Sequence, residues 1–371
     1  MSGPVSYLSP EQLRRDLGIR DLSAPAAGPH GIQILIDQAI ERLSRAWICE
    51  VRWCRGPRIV PVADNYDRLG YAAEAITRDT RYTRYTDAGH MLRSHSSAMV
   101  PPALRQLAGE PGDDVLLACP GIVYRRDAID WQHTGTPHQL DLWRITRRAM
   151  SDTDLQEMIA VLLDALIPGL PHRQEPRTHP YTLGGRQVDV HHEGRWVEVW
   201  ECGLAHTGVL AAAGLSGHSG LALGMGLDRL LMLAKHIPDI RLLRAADPRI
   251  SRQMLDLAPY RRVSSMPPIT RDLSVAVSDD GDEETLGDQV RDALGADARC
   301  VEEVRILSAT AYKQLPAPAI GRLGAKPGQK NILLRVVLRD LDNTLTNQAA
   351  NTLRNRIYQA LHQGTGHQWA E

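Results

Sequence analysis

Phenylalanine is missing from all 371 positions of this chain, where a protein of this size and apolar content would ordinarily hold roughly a dozen. Leucine, isoleucine, seven tryptophans and ten tyrosines fill the apolar positions instead, and core packing gives no reason to exclude one aromatic while using another. Lysine is almost missing too. Only Lys235, Lys313, Lys326 and Lys330 interrupt an arginine-dominated set of 43 basic residues. Arginine is the better fork for phosphate and carboxylate, although GC-rich coding bias accounts for the skew as well. The five cysteines (Cys49, Cys54, Cys119, Cys202, Cys300) form no CxxC pair and are odd in number. They exclude a disulfide framework and a cysteine zinc site, and are read as reduced thiols of a cytoplasmic protein. No run of eighteen apolar residues exists, so no helix is expected to span a membrane. The start, MSGPVSYLSPEQLRRDLGIRDL, lacks an apolar core and carries Glu11, Asp16 and Asp21, against a targeting peptide. A net charge of −1 excludes a globally basic nucleic-acid binder, so any RNA contact must come from a local patch.

What is present is an α+β pattern. Residues 1–30 are punctuated by proline and glycine, with one short helix after Ser9-Pro10-Glu11. Apolar residues at helical spacing follow in IQILIDQAIERLSRA, and then IVYRRD, LDLWRI, RQVDVHH and RWVEVWE alternate with a period of two. Their short turns predict a mostly antiparallel sheet flanked by helices over 31–250. Ser151 to Leu166 is expected as a helix with SDTD as its cap. A composition break marks a linker at 251–266, and 267–371 reads strand, helix, strand, strand, helix, the split βαβ ferredoxin-like order.

Polarity concentrates in GIVYRRDAIDWQHTGTPHQLDLW, Gly121 to Trp143. An arginine against an apolar wall is costly unless it meets an anion. On a strand Arg125 and Arg126 face opposite ways, Asp127 shares the face of Arg125, and Gln139 and Asp141 share a face on the returning strand. With His133 folding back over the hairpin, these groups suit a nucleotide and a small zwitterion. A surface hairpin of weak ion pairs is the plainer alternative. Farther on, GMGLDRLLM sets Arg229 one turn into a helix behind Gly224 and Gly226, where backbone can approach a phosphate.

The order and spacing of these segments resemble the catalytic domain of class II aminoacyl-tRNA synthetases, and among them the phenylalanyl-tRNA synthetases. GIVYRRDAIDWQHTGTPHQLD is similar to that family's motif 2 and LALGMGLDRLLM to its motif 3. HMLRSHSSA, DNYDRL and HIPDIRLLRAADPR resemble further family segments, and the tail from PITRDLSVAV onward resembles a ferredoxin-fold anticodon-binding domain. The layout is that of the monomeric organelle type. The resemblance implies ATP-dependent activation of phenylalanine, or a close aromatic analogue, as an adenylate, and its transfer to tRNA(Phe). ATP and Mg2+ would be the cofactors, tRNA and an aromatic amino acid the partners, and the state a monomer or homodimer. It further implies that Arg125 grips the α-phosphate and the amino-acid carboxylate, that Asp127 faces the adenine, and that His133 and Arg229 meet the outer phosphates beside Gly224 and Gly226. His95, Ser97, Gln139 and Asp141 would hold the ends of the amino acid, with Asp141 standing where the family has glutamate. Glu198 would be a magnesium carboxylate. A tRNA-independent adenylating ligase of specialised metabolism and a non-catalytic RNA-binding relic are the competing readings.

The side-chain pocket departs most from the family. A Phe-Pro-Phe-Thr run is replaced by His179, Pro180, Tyr181 and Thr182, a glycine by Glu201, and an aromatic by Pro137, while Ala222 at the pocket base is kept. Flat rings persist, so ring packing on a benzyl side chain survives, but His179, Tyr181 and Glu201 add polar edges. Each place where the resemblance expects phenylalanine holds something else. This fits a self-resistance or starvation paralogue that must be made when charged tRNA(Phe) is scarce. Translation in a phenylalanine-depleted lysate checks it: this chain is expected to be completed while a phenylalanine-containing homologue stalls, and equal failure of both would dispose of the idea.

Overall fold

The computed structural model describes residues 6–80, 82–110, 112–262 and 266–366. Three residues of the expected linker, 263–265, and the first five and last five of the chain lie outside them. The chain packs as two units interleaved in sequence: residues 1–125, 136–238 and 252–260 form the first, and 126–135, 239–251 and 261–371 the second.

Among the described residues the first unit holds nine strands: β1 (Glu50–Trp53), β2 (Ile59–Pro61), β3 (His90–Leu92), β4 (Asp114–Ile122), β5 (His138–Thr146), β6 (His172–Pro176), β7 (Thr182–His192), β8 (Arg195–Ala205) and β9 (Ser219–Gly226). Seven make one sheet in the order β1-β4-β5-β9-β8-β7-β6, and β2 pairs with β3 apart from it. Only the β1–β4 edge is parallel; every other pairing in the sheet is antiparallel. Antiparallel pairing sets directly opposed side chains on one face, and this carries function below. Helices Gly31–Trp47 and Asp152–Leu166 bury the apolar faces expected of them, and a further helix, Val100–Gly109, buries Val100, Ala103, Leu104 and Leu107. Without phenylalanine, the fully buried aromatics are Trp143, Trp200, Tyr66 and Tyr124.

One expectation changes. IVYRRD does not continue as a strand: β4 ends at Ile122. Val123 N donates to Pro137 O (2.8 Å), whose own nitrogen carries no hydrogen, and Tyr124 N donates to Arg93 O (2.9 Å). Pro137 cannot return the hydrogen bond to Val123, Tyr124 turns to Arg93, and the chain leaves the sheet, so strand alternation does not govern Arg125 and Arg126. The glycine-rich start of GLALGMGLDRLLM forms strand β9, and the expected helix begins at Leu227.

The N-terminal segment is built into this unit. The helix Pro10–Gly18 starts with a capping box between Ser9 and Gln12, and its buried Asp16 accepts from Arg84 Nη1 at 2.6 Å. Asp21 accepts from the Ser23 amide and hydroxyl (2.9 and 2.6 Å) and from Ile122 N (3.3 Å). No helix among the described residues is long and apolar enough to cross a membrane.

The second unit contains β10 (Ile269–Ser278), β11 (Val301–Ala311) and β12 (Gln329–Leu338), an antiparallel sheet in the order β10-β12-β11. Helices Glu283–Leu294 and Asn347–Leu361 supply Leu286, Val290, Leu294, Leu353, Ile357 and Leu361 to its core. A short helix, Ala317–Leu323, occupies the stretch expected as a polar loop.

Gly220 on β9 tests the packing of the large sheet. A Cβ there would stand 2.4 Å from Arg144 O and 3.0 Å from Ile145 Cδ1. Gly220→Ala is expected to cost roughly 2 kcal/mol or more in urea unfolding. A change inside about 0.5 kcal/mol, usual for a surface substitution, would contradict this packing.

Candidate active site

Strand β9 presents small residues where its neighbours present functional groups. Gly226 opposes Gln139, Gly224 opposes Asp141, and Ala222 opposes Trp143 on β5. Across the other edge Gly224 opposes Glu201 and Ala222 opposes Gly203 on β8. Opposed side chains share a face, so Ala222, Gly224 and Gly226 line a trough whose banks are Gln139 and Asp141 on one side and Glu201 on the other. A Cβ on Gly224 would lie 3.6 Å from Asp141 Oδ2, which places that carboxylate directly over the glycine.

Asp141 is 2% exposed. Ser96 Oγ donates to its Oδ2, and Trp143 Nε1 donates to Oδ1 at 3.4 Å. Burial outweighs the hydrogen bonds from Ser96, Ser97 and Trp143 and pushes the Asp141 carboxyl up to about 6. Gln139 Oε1 accepts from Ser96 N at 3.1 Å, so both residues on this bank fasten the turn Ser96–Met99.

Rings stand over the trough. His179 and Tyr181 stack at 5.3 Å, and Tyr181 tilts against Trp143 at 6.0 Å and Tyr71 at 6.2 Å. Tyr71 stacks on His95 at 5.9 Å, and Tyr66 meets both edge-on. Burial raises the Tyr71 phenol to about 12 and the Tyr181 phenol well above its usual range, so both are neutral hydroxyls. Burial, reinforced by Arg125, lowers His95 to about 3, which keeps it a neutral imidazole. Asn65 Nδ2 lies 3.3 Å from His95 Nε2 and 2.9 Å from Ser94 Oγ. If the Asn65 amide donates to Nε2, the His95 proton sits on Nδ1, which is buried and without a hydrogen-bond partner. A buried donor of this kind calls for an acceptor.

Glu201 is clamped from above. His179 Nε2 is 2.5 Å from Oε2 and Arg177 Nε is 2.8 Å from Oε1. Burial alone would raise Glu201, but His179 and Arg177 outweigh it and hold the carboxyl below the usual carboxylate range. A bulge at Val199, between the Trp200↔Val188 and Glu198↔Asp189 pairs, brings Glu198 onto the same face despite its odd spacing. Burial and the neighbouring Glu201 raise Glu198, offset by Arg229 and Arg177. Arg229, in the helix Leu227–Lys235, donates from Nη1 to Glu198 O at 3.0 Å.

Arg125 is the cation of the cluster. Its Nε donates to Ser94 O at 2.7 Å. Its two terminal nitrogens make no hydrogen bond or ion pair among the described residues, and its charge is felt by Tyr71 and His95. A half-buried guanidinium held by one nitrogen is set to receive an anion on the others. His138 from the same polar segment is structural: its Nδ1 meets Asp228 Oδ1 at 3.0 Å and its Nε2 accepts from Leu22 N at 3.0 Å.

The first unit thus brings together Arg125, His95, Ser97, Gln139, Asp141, His179, Tyr181, Glu201, Ala222, Gly224 and Gly226, with Glu198 and Arg229 paired beside them. Asp127 and His133 belong to the second unit. There Arg291 Nη1 donates to Asp127 O at 2.5 Å, and His133 Nδ1 lies 2.6 Å from Asp130 Oδ2. Arg126 joins them, 3.6 Å from Asp288. Sequence reading missed Tyr71, Asn65 and Ser96. Asn65 sits inside DNYDRL, and Tyr71 follows Gly70, whose φ of 82° marks a required turn.

The family model described as tRNA synthetases class II core domain (F) matches residues 21–254, and the chain belongs to that family of aminoacyl-tRNA synthetases. It is 30% identical over 240 residues to the phenylalanine--tRNA ligase alpha subunit of Nostoc punctiforme, covering 64% of this chain and 70% of that protein. Against the alpha subunit of a second Nostoc it is 34% identical over 191 residues, covering 51% of this chain and 56% of the relative. The chloroplastic/mitochondrial phenylalanine--tRNA ligase of Arabidopsis thaliana is 27% identical over 316 residues, covering 81% of this chain and 68% of that protein. The alpha-subunit names do not carry the single-chain layout expected from the sequence.

The raised Asp141 carboxyl gives a pH test. Its folded value, about 6, lies above its ordinary 3.8, so its contribution to stability is complete below about pH 4 and is lost as pH rises through 6. The loss is on the order of 3 kcal/mol. Urea unfolding at pH 4.5 and 7.5 should show about two thirds of this decline in the parent and not in Asp141→Asn. Parallel pH profiles would contradict it.

Proposed function

We propose that this chain activates phenylalanine, or an aromatic amino acid close to it, with ATP and passes the acyl group to tRNA(Phe). The observation that carries the reading is the free guanidinium edge of Arg125 beside a ring-walled trough: an anion clamp and an aryl pocket in one cluster. Attack of the amino-acid carboxylate on the α-phosphorus needs no protein nucleophile, only alignment and charge neutralisation. Arg125 supplies the positive charge where the carboxylate and α-phosphate oxygens meet. His95 Nδ1–H, Ser97, Gln139 and Asp141 orient the ends of the zwitterion, and Arg229 offers its remaining nitrogens to outer phosphates. Asp127 and His133 keep the nucleotide roles that the resemblance implies.

Glu198 has the oxygen donor and partial burial that suit Mg2+, an ion that takes one or two protein carboxylates and fills its shell with water and phosphate. The ion would neutralise phosphate charge. The tail is assigned to a ferredoxin-fold tRNA-binding module within a single-chain enzyme, in monomeric or homodimeric form. Its β10-β12-β11 order supports this. So does the Arabidopsis alignment, which spans 81% of this chain and must run past residue 254 into the tail. The phenylalanine-free composition joins the reading as a self-resistance or starvation adaptation. The Glu201–His179 pair sets polar edges against the substrate ring, favouring tolerance of a ring hydroxyl.

ATP–pyrophosphate exchange across phenylalanine and the tyrosine isomers, followed by charging of tRNA(Phe), tests the proposal. Exchange is expected with phenylalanine or a hydroxylated analogue, falling by at least about 100-fold in Arg125→Ala. Exchange without charging would give the tRNA-independent ligase instead, and no exchange with any amino acid would remove the enzymatic reading.

A further inference from the structure

We propose that His192, Glu193 and His236 form a binding site for a late first-row divalent cation, with Zn2+ the ion their donors suit best. The three residues come from two places in the first unit that are far apart in sequence. His192 ends β7, Glu193 opens the two-residue turn to β8, and His236 follows the helix Leu227–Lys235. One ligand atom from each lies within 4.8 Å of the others. The imidazoles face each other with centroids 5.2 Å apart and planes 31° off parallel. His192 Nε2 is 3.8 Å from Glu193 Oε1, too far for a hydrogen bond. None of the three side chains makes a hydrogen bond among the described residues. They are ligand atoms brought together without hydrogen-bond partners.

The backbone argues that the meeting is specific. Only Ile48, Glu193 and His236 among the described non-glycine residues have positive φ, and two of these three belong to this cluster. The Glu193–Gly194 turn, with φ of 47° and 82°, is the kind that favours Asn-Gly, and His236, at φ 55°, holds the helix-end position that favours glycine. A side chain in either place costs about 1 kcal/mol. Ion binding gives a physical reason to keep a carboxylate and an imidazole there.

Two imidazoles and one carboxylate leave a fourth position for water, a donor set that selects zinc and its neighbours over Mg2+ or Ca2+. Coordination requires the donors to draw to about 3.4 Å from one another, and the exposed Glu193 and His236 side chains are free to rotate. The carbonyl end of the helix favours a cation. Once bound, the ion would tie the β7–β8 hairpin to the helix that carries Arg229, the two elements already joined by the Arg229–Glu198 bond. The site is distinct from the Glu198 carboxylate assigned to Mg2+ and is chemically unlike it.

The test uses the full chain stripped of metal and titrated with Zn2+ against a chromophoric chelator, with Co2+ as a spectroscopic probe of coordination. The parent is expected to bind one Zn2+ per chain and to give a tetrahedral Co2+ spectrum. His192→Ala and His236→Gly should each weaken binding by at least about tenfold. The glycine suits the left-handed helix end, so that variant removes the ligand while relaxing the backbone. Zinc should raise the Tm of the parent and leave that of the double variant unchanged. Equal zinc affinity in parent and double variant, or no stoichiometric binding by the parent, would overturn the proposal.

Discussion

A carboxylate taken out of water must be given hydrogen-bond donors or a proton, and the architecture of the trough turns on how this is done for Asp141. Its two oxygens are taken by Ser96 and by the indole of Trp143. Meeting that demand fixes the turn Ser96–Met99 to strand β5, and Gln139 repeats the attachment one strand period earlier through Ser96 N. Because the turn is fixed, His95 is fixed. Desolvation, reinforced by Arg125, keeps His95 neutral, with one nitrogen near Asn65 and the other, buried, without a hydrogen-bond partner. One desolvated acid therefore sets the geometry of several groups that carry no charge themselves.

The opposite bank obeys the reverse electrostatics. Glu201 is half-buried, and His179 and Arg177 hold it ionised. The two carboxylates flank the same glycine, Gly224, and burial wins on one side while pairing wins on the other. That asymmetry leaves the charge of Arg125 without a permanent partner. The rings between the banks stay close-packed without phenylalanine because tyrosine and histidine keep a flat face and add a polar edge.

Much of this was legible in the chain. The period-two segments LDLWRI, RQVDVHH and RWVEVWE became β5, β7 and β8, and the capping signal at Ser151 became the start of a helix. Arg125, Gln139 and Asp141 stood out because polar groups between apolar runs need partners. What failed did so for local reasons. IVYRRD kept strand composition past Ile122, yet the opposing Pro137 withholds the hydrogen a ladder needs. LALGMG, read only as the glycine-rich approach to a helix, is strand β9, where the sheet uses glycine to leave room. Tyr71 and Asn65 were invisible because their roles arise from contacts across the first unit, which no periodicity encodes. His138 in the same polar segment is structural, its ring spent on Asp228 and the Leu22 amide.

A crystal structure of the chain with a non-hydrolysable phenylalanyl-adenylate analogue, an acyl sulfamate, tests the central claim most directly. The expected result is the aryl ring among Tyr71, His95, His179 and Tyr181, with the sulfamate oxygens on the terminal nitrogens of Arg125. An analogue seated elsewhere, or no binding at saturating concentration, would contradict the account.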